Sequence, residues 1–121
     1  MKRGLYPDRR CRMRIWDLPP ERLCRSHLLG EHRELHAIWS VLTNNKKGYS
    51  GHPEVLRWKG RLKALFLRHD DLVAEMLRRG YLHKSPLDSS LARGAAEQTV
   101  RVDSAEDQIR RLRNRRCECD V

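Results

Sequence analysis

His27, Glu31 and Glu34 are the residues of this chain whose types and spacing could do chemistry. They follow one another at +4 and +3, and Ile38 continues the line at +4, so on a helix one imidazole and two carboxylates share a face. Beside it runs an apolar stripe of Cys24, Leu28, Leu35, Trp39 and Leu42, which places the acidic line at the edge of a core. A half-buried carboxylate needs a partner or shifts its pKa, and Arg14 and Arg33 are its nearest candidates in sequence. The chemistry open to such a set is general acid–base work or stabilisation of a cation. A solvated polar helix face is the plain alternative.

Two other groupings contain metal-ligating residue types. His32 and His36 are four apart with Glu34 between them, but a zinc hydrolase of this pattern needs Glu directly after the first His, where Arg33 stands. Cys117 and Cys119 close the chain and could join Cys24 or a histidine at a zinc ion. C-x-C is a poorer ligand spacing than C-x-x-C, so the four cysteines, Cys11 included, are read as free thiols, with no metal or other cofactor expected.

The elements that must position these side chains are helices. The first runs from about Pro19 to Leu42, entered through Asp17 and the Pro19–Pro20 pair. A polar loop, Thr43 to Gly51, carries Lys46, Lys47 and Tyr49; it reads either as a plain solvent-exposed connection or as a loop that touches phosphates. From Pro53, apolar residues at spacings of 3 and 4 predict one helix over 53–79, tolerating Gly60 inside and stopping at Gly80. His69 on its stripe reads as a hydrogen-bonded core histidine. Residues 88–102 lack a pattern and read as an exposed connection. Ser104 and Asp107 resemble a capping box and open a last helix to about Arg116, with an outer face of Arg110, Arg111, Arg113, Arg115 and Arg116. These patterns predict an all-α fold, a single compact domain of three principal helices.

The chain has 121 residues and a formal charge of +10, from 26 Lys and Arg against 16 Asp and Glu. Its length fits one domain. Residues 1–12 carry five basic residues against one acidic and read as a disordered basic arm, leaving residues 13–121 with 21 against 15, a net +6. An anionic partner is implied, with nucleic acid the leading class. No apolar run is long enough to span a bilayer, and the basic start lacks the apolar core of a secretion signal, so a cytoplasmic, nucleoid-associated monomer is expected.

Met13-Arg14-Ile15-Trp16-Asp17-Leu18-Pro19-Pro20 and the helix after it resemble the start of the pyrimidine-dimer DNA glycosylases of the phage endonuclease V type. Arg14 and Ile15, then His27, Glu31, Arg33, Glu34 and Leu35, match that family's opening, with the separation between the Arg-Ile and Arg-Glu pairs kept. Leu72-Val73-Ala74-Glu75-Met76-Leu77-Arg78-Arg79-Gly80-Tyr81 looks like the end of its second helix. The resemblance covers about residues 13–82. It implies an endonuclease V-like fold and a DNA repair enzyme that removes a damaged base and cuts the strand by β-elimination, without a cofactor, on double-stranded DNA.

By the same resemblance, the nucleophile is the α-amine aligned with Met13, and Glu34 is the catalytic carboxylate. Arg14 and Arg33 hold phosphates and the lesion strand, and His27 and Glu31 support the site. An α-amine suits imine formation, since its ordinary pKa of about 7.7–8.0 leaves a neutral fraction near pH 7. Met13 is internal as written and its nitrogen is an amide, which cannot form an imine. Translation starting at Met13 is the reading adopted; proteolytic removal of the arm, another amine and lost activity are the alternatives. Ala37 stands where the family has an arginine, the segment between the two helices is shorter, and the family's aromatic C-terminal tail is missing. Against the enzyme stands a rival, a non-catalytic helical nucleic-acid-binding protein of the same fold.

Overall fold

Ile15, Trp16 and Leu18 are almost wholly buried, so the extended segment ahead of the first helix belongs to the core. The computed structural model describes residues 14–44, 51–83, 85–114 and 117–120. The basic arm, Met13, Lys46, Lys47, Arg115 and Arg116 lie outside the described residues.

A 3-10 turn at Pro20–Arg22 leads into helix α1, Arg25–Thr43; a single helical turn, α2, follows at Pro53–Leu56; then come α3, Leu62–Arg78, a second 3-10 turn at Ser89–Leu91, and α4, Ala105–Arg113. Among the described residues there is no strand, only an isolated bridge between Arg61 and Gly94. α1 and α3 pack on each other, with Leu28, Leu35 and Ile38 of α1 and Leu65 and Leu72 of α3 fully buried between the elements. The all-α expectation holds.

Three boundaries differ from the sequence reading. α1 starts at Arg25 because Leu23 and Cys24 are extended, and Cys24 becomes its N-cap. The single helix expected over 53–79 is broken at Gly60, whose φ of +77° no right-handed helix accepts. α4 ends at Arg113; its start follows the expectation, with Ser104 Oγ accepting from the Asp107 amide at 3.1 Å.

The break at Gly60 is used by the connection after α3. The Arg93 and Ala95 carbonyls accept from the Lys63 and Ala64 amides, at 2.8 and 3.1 Å, and so satisfy donors at the open N-terminus of α3. The Ala95 amide returns a bond to the Gly60 carbonyl at 3.0 Å. Residues 93–95 are therefore docked by their backbone and are not a free connection, although their side chains face outward.

Polar groups set the register between elements. Arg57 is buried beneath the N-terminal segment, donating to the Ile15 carbonyl at 2.9 Å, to Asp17 at 3.1 Å, to the Val100 carbonyl at 2.9 Å and to Glu54. Burial raises the Glu54 pKa against the downward pull of Arg57. Gln108 brings α4 to the same segment: it accepts from the Asp17 amide at 2.7 Å and donates to the Asp17 carboxylate at 3.0 Å. At the end of α3, Arg79 binds Glu75 and the Leu23 carbonyl, at 2.6 and 2.7 Å, fixing the entry to α1.

Candidate active site

Glu31 and Glu34 are one turn apart on α1 and have different surroundings. Glu31 is 2% exposed; it accepts from the Trp16 amide at 3.1 Å and from Arg68 of α3 through two bonds of 2.6 and 3.1 Å. Burial raises its pKa against the pull of Arg68. The partner is thus neither Arg14 nor Arg33. A bidentate guanidinium and a backbone amide occupy both oxygens, so Glu31 holds the N-terminal segment, α1 and α3 together. Glu34 is half-buried, at the edge of that core.

The arginines also separate. Arg14 is paired with Asp103 at 2.7 Å and its guanidinium lies 5.2 Å from the Trp16 ring centre. Its charge is partly spent on tying the N-terminal segment to the entry of α4. Arg33 is exposed, with no ion-pair partner among the described residues. Met13, Lys46 and Lys47 are outside those residues. On the far face of α4, Arg110 pairs with Asp107 at 2.6 Å and Arg111 with Asp103 at 3.3 Å, so that row is less free than its sequence implies.

His27, placed on the Glu31–Glu34 face, has its Nδ1 3.2 Å from Cys24 Sγ and 3.3 Å from Cys119 Sγ, with its ring edge-on to Trp16. The last described residues are pinned beside the start of α1: the Asp120 amide donates to the Arg22 carbonyl at 2.7 Å, and Arg22 Nε donates to the Asp120 carbonyl at 2.8 Å. Cys24, His27, Cys117 and Cys119 thereby converge, their ligand atoms all within 4.8 Å of one another. Burial opposes ionisation of Cys24, yet hydrogen bonds from the backbone of His27, Glu118 and Ser26 and from the Cys119 thiol leave its pKa lowered. Burial pushes the Cys119 thiol up to about 12.

A second cluster forms on the opposite side of α1. His32 and His36 meet His69 of α3 and His83 beyond it, again with all four ligand nitrogens within 4.8 Å. His36 Nε2 stands 3.3 Å from His32 Nε2 and 3.2 Å from His69 Nε2. Burial, then repulsion among the rings, lowers His32 and His69 to about 4 and lowers His36 as well, so these three are neutral near pH 7. Two residues turn a helical side chain by about 200°, so Glu34 lies across α1 from His32 and His36. The hydrolase arrangement, with Glu34 beside that histidine pair, is not formed.

Sequence reasoning raised the meeting of Cys117 and Cys119 with Cys24 or a histidine but set it aside in favour of free thiols, and it missed the convergence of the four histidines. Local signals existed: Cys24-x-x-His27 at a helix start, and His32 and His36 at helical spacing. Their partners arrive from up to 92 residues away, where no local pattern reaches.

Searches of curated proteins and of solved structures find no match. The family model described as pyrimidine dimer DNA glycosylase matches residues 13–89, from Met13 through α1 and α3 to the second 3-10 turn. That span is well over half of the chain, and the chain belongs to the pyrimidine dimer DNA glycosylase family.

Proposed function

We propose that this chain removes damaged pyrimidines from duplex DNA and cuts the resulting site as an abasic-site lyase, with Met13 at the head of the active chain. The observation that carries the reading is where the family match begins, at Met13, one residue before the segment that Glu31, Arg57 and Gln108 hold in place. A nucleophile needs a fixed approach to its carbon, and residues 15–17, which follow Met13, are tethered by three elements.

The neutral Met13 amine attacks C1′ of the damaged nucleotide; a C–N bond forms as the glycosidic bond breaks, and the base leaves with its bonding electrons. Ring opening gives a protonated imine. Glu34 stabilises that cation and takes the C2′ proton, after which the 3′ phosphate departs by β-elimination. Arg33, exposed beside Glu34 in sequence, contacts a phosphate, and Lys46 and Lys47, which follow α1 in sequence, extend that contact. Arg14, partnered by Asp103, positions the terminus more than it binds DNA.

Borohydride trapping on an abasic-site duplex tests this. A chain starting at Met13 is expected to link covalently to DNA, Glu34→Gln to bind with trapping and cleavage lowered at least about 100-fold, and the chain with residues 1–12 attached not to link. Binding without linkage in every form would establish the non-catalytic reading instead. A cyclobutane-dimer duplex beside the abasic one separates base removal from lyase activity.

A further inference from the structure

We propose that Cys24, His27, Cys117 and Cys119 hold a zinc ion that fastens the C-terminal residues to the start of α1. Three sulfurs and one imidazole nitrogen are a complete donor set for tetrahedral zinc, and thiolates exclude magnesium and calcium. The spacing fits. Zinc–sulfur and zinc–nitrogen bonds of about 2.3 and 2.0–2.1 Å put sulfur and nitrogen about 3.5–3.6 Å apart at a tetrahedron's edge. The two Sγ···Nδ1 separations here are 3.2 and 3.3 Å, an edge that opens slightly to admit the ion.

The backbone supports it independently. The Cys24 amide donates to Cys119 Sγ at 3.1 Å, while backbone hydrogen bonds from the other side reach Cys24. Such N–H···S bonds orient thiolates and offset their charge. None of the described cysteines is in a disulfide. All four positions are filled by the protein, which makes the site structural. It uses Cys117 and Cys119, beyond the matched 13–89 span, and replaces the supporting catalytic role expected of His27.

The geometry points to a second ion between His32, His36, His69 and His83, on separate grounds. Four nitrogens bound at about 2.0–2.1 Å stand about 3.3–3.4 Å apart, and the measured Nε2···Nε2 distances are 3.3 and 3.2 Å. Hydrogen bonding leaves the cluster only partly satisfied, because His36 Nε2 offers one proton or one lone pair to two neighbouring nitrogens. His83 Nε2 is buried with no hydrogen-bond partner, while its ring centre is 5.0 Å from that of His32 and 5.1 Å from that of His69. Four imidazole nitrogens suit a borderline divalent ion of the zinc, copper or nickel class.

Metal analysis of the full chain, purified without chelators, is expected to find two such ions per molecule. Cys117→Ser with Cys119→Ser should leave one, and His83→Asn should leave one. Cobalt exchanged into the unmodified chain should show a sulfur-to-cobalt charge-transfer band, kept in His83→Asn and lost in the cysteine variant. That spectrum needs no variant to fold. An unmodified chain with no bound metal overturns both sites. One ion with the sulfur band overturns the histidine site, and one ion without it, or a Cys24–Cys119 disulfide in the mass spectrum, overturns the cysteine site. These outcomes are independent of borohydride trapping, since no step of the amine chemistry passes through either ion.

Discussion

Two carboxylates three residues apart on one helix have different surroundings; spacing alone did not divide them, and the family resemblance did so only by giving Glu34 the catalytic place and Glu31 a supporting one. Glu31 and Glu34 are the same residue type on the same face; only Arg68, 37 residues further on, marks Glu31 as a core group. Removing its carboxylate leaves Arg68, half-buried over the core, charged and without the partner of both its hydrogen bonds. Glu31→Ala is therefore expected to cost about 3–5 kcal/mol, read as a lower urea midpoint with loss of trapping through unfolding. Glu34→Gln should leave that midpoint nearly unchanged while trapping falls. If both variants unfold alike, Glu34 is a structural residue and the catalytic assignment is wrong. Arg33 and Arg14 were the carboxylate partners nearest in sequence, yet Arg33 is exposed and Arg14 pairs with Asp103, 89 positions away, which no local pattern shows.

At the scale of elements, hydrophobic spacing located α1 and α3, and the Ser104–Asp107 cap located the start of α4. It failed at Gly60 because Val55, Trp58, Leu62 and Leu65 stay in phase across the break, so periodicity continues where the helix does not. The reason for the break lies in residues 93–95. A Cβ on Gly94, at φ +87°, would stand 2.2 Å from the Gly60 carbonyl oxygen. Gly94→Ala is expected to destabilise by about 1–3 kcal/mol and to speed amide exchange at Lys63 and Ala64. Unchanged exchange there would mean that this docking does not protect the start of α3.

The end of α3 supplies a pH dependence. Hydrogen bonds from Arg78, with those from Arg79, hold the Glu75 carboxyl at about 2 instead of the ordinary 4.5. Because the folded-state value is depressed, the stabilisation is complete above 4.5 and is lost as pH falls towards 2. Urea midpoints should place Glu75→Gln below the unmodified chain near neutral pH, and the gap should close through that acid window. A gap constant down to pH 2 would remove the ion pairs as its cause.

Across the whole molecule, charge and chemistry make opposing demands on residues 1–12. They raise the net charge from +6 to +10, and each phosphate neutralised adds about 0.9 to the slope of log affinity against log salt. The same residues turn the Met13 amine into an amide. Removing them should therefore weaken DNA binding at low salt and flatten its salt dependence, yet switch covalent trapping on. Fold stability should hardly respond, because Ile15, Trp16 and Asp17 are secured by Arg57, Glu31 and Gln108. Parallel salt titrations and trapping on the two chain lengths decide it. Trapping that is equal in both would place the reacting amine elsewhere, on a lysine, whatever the affinity does.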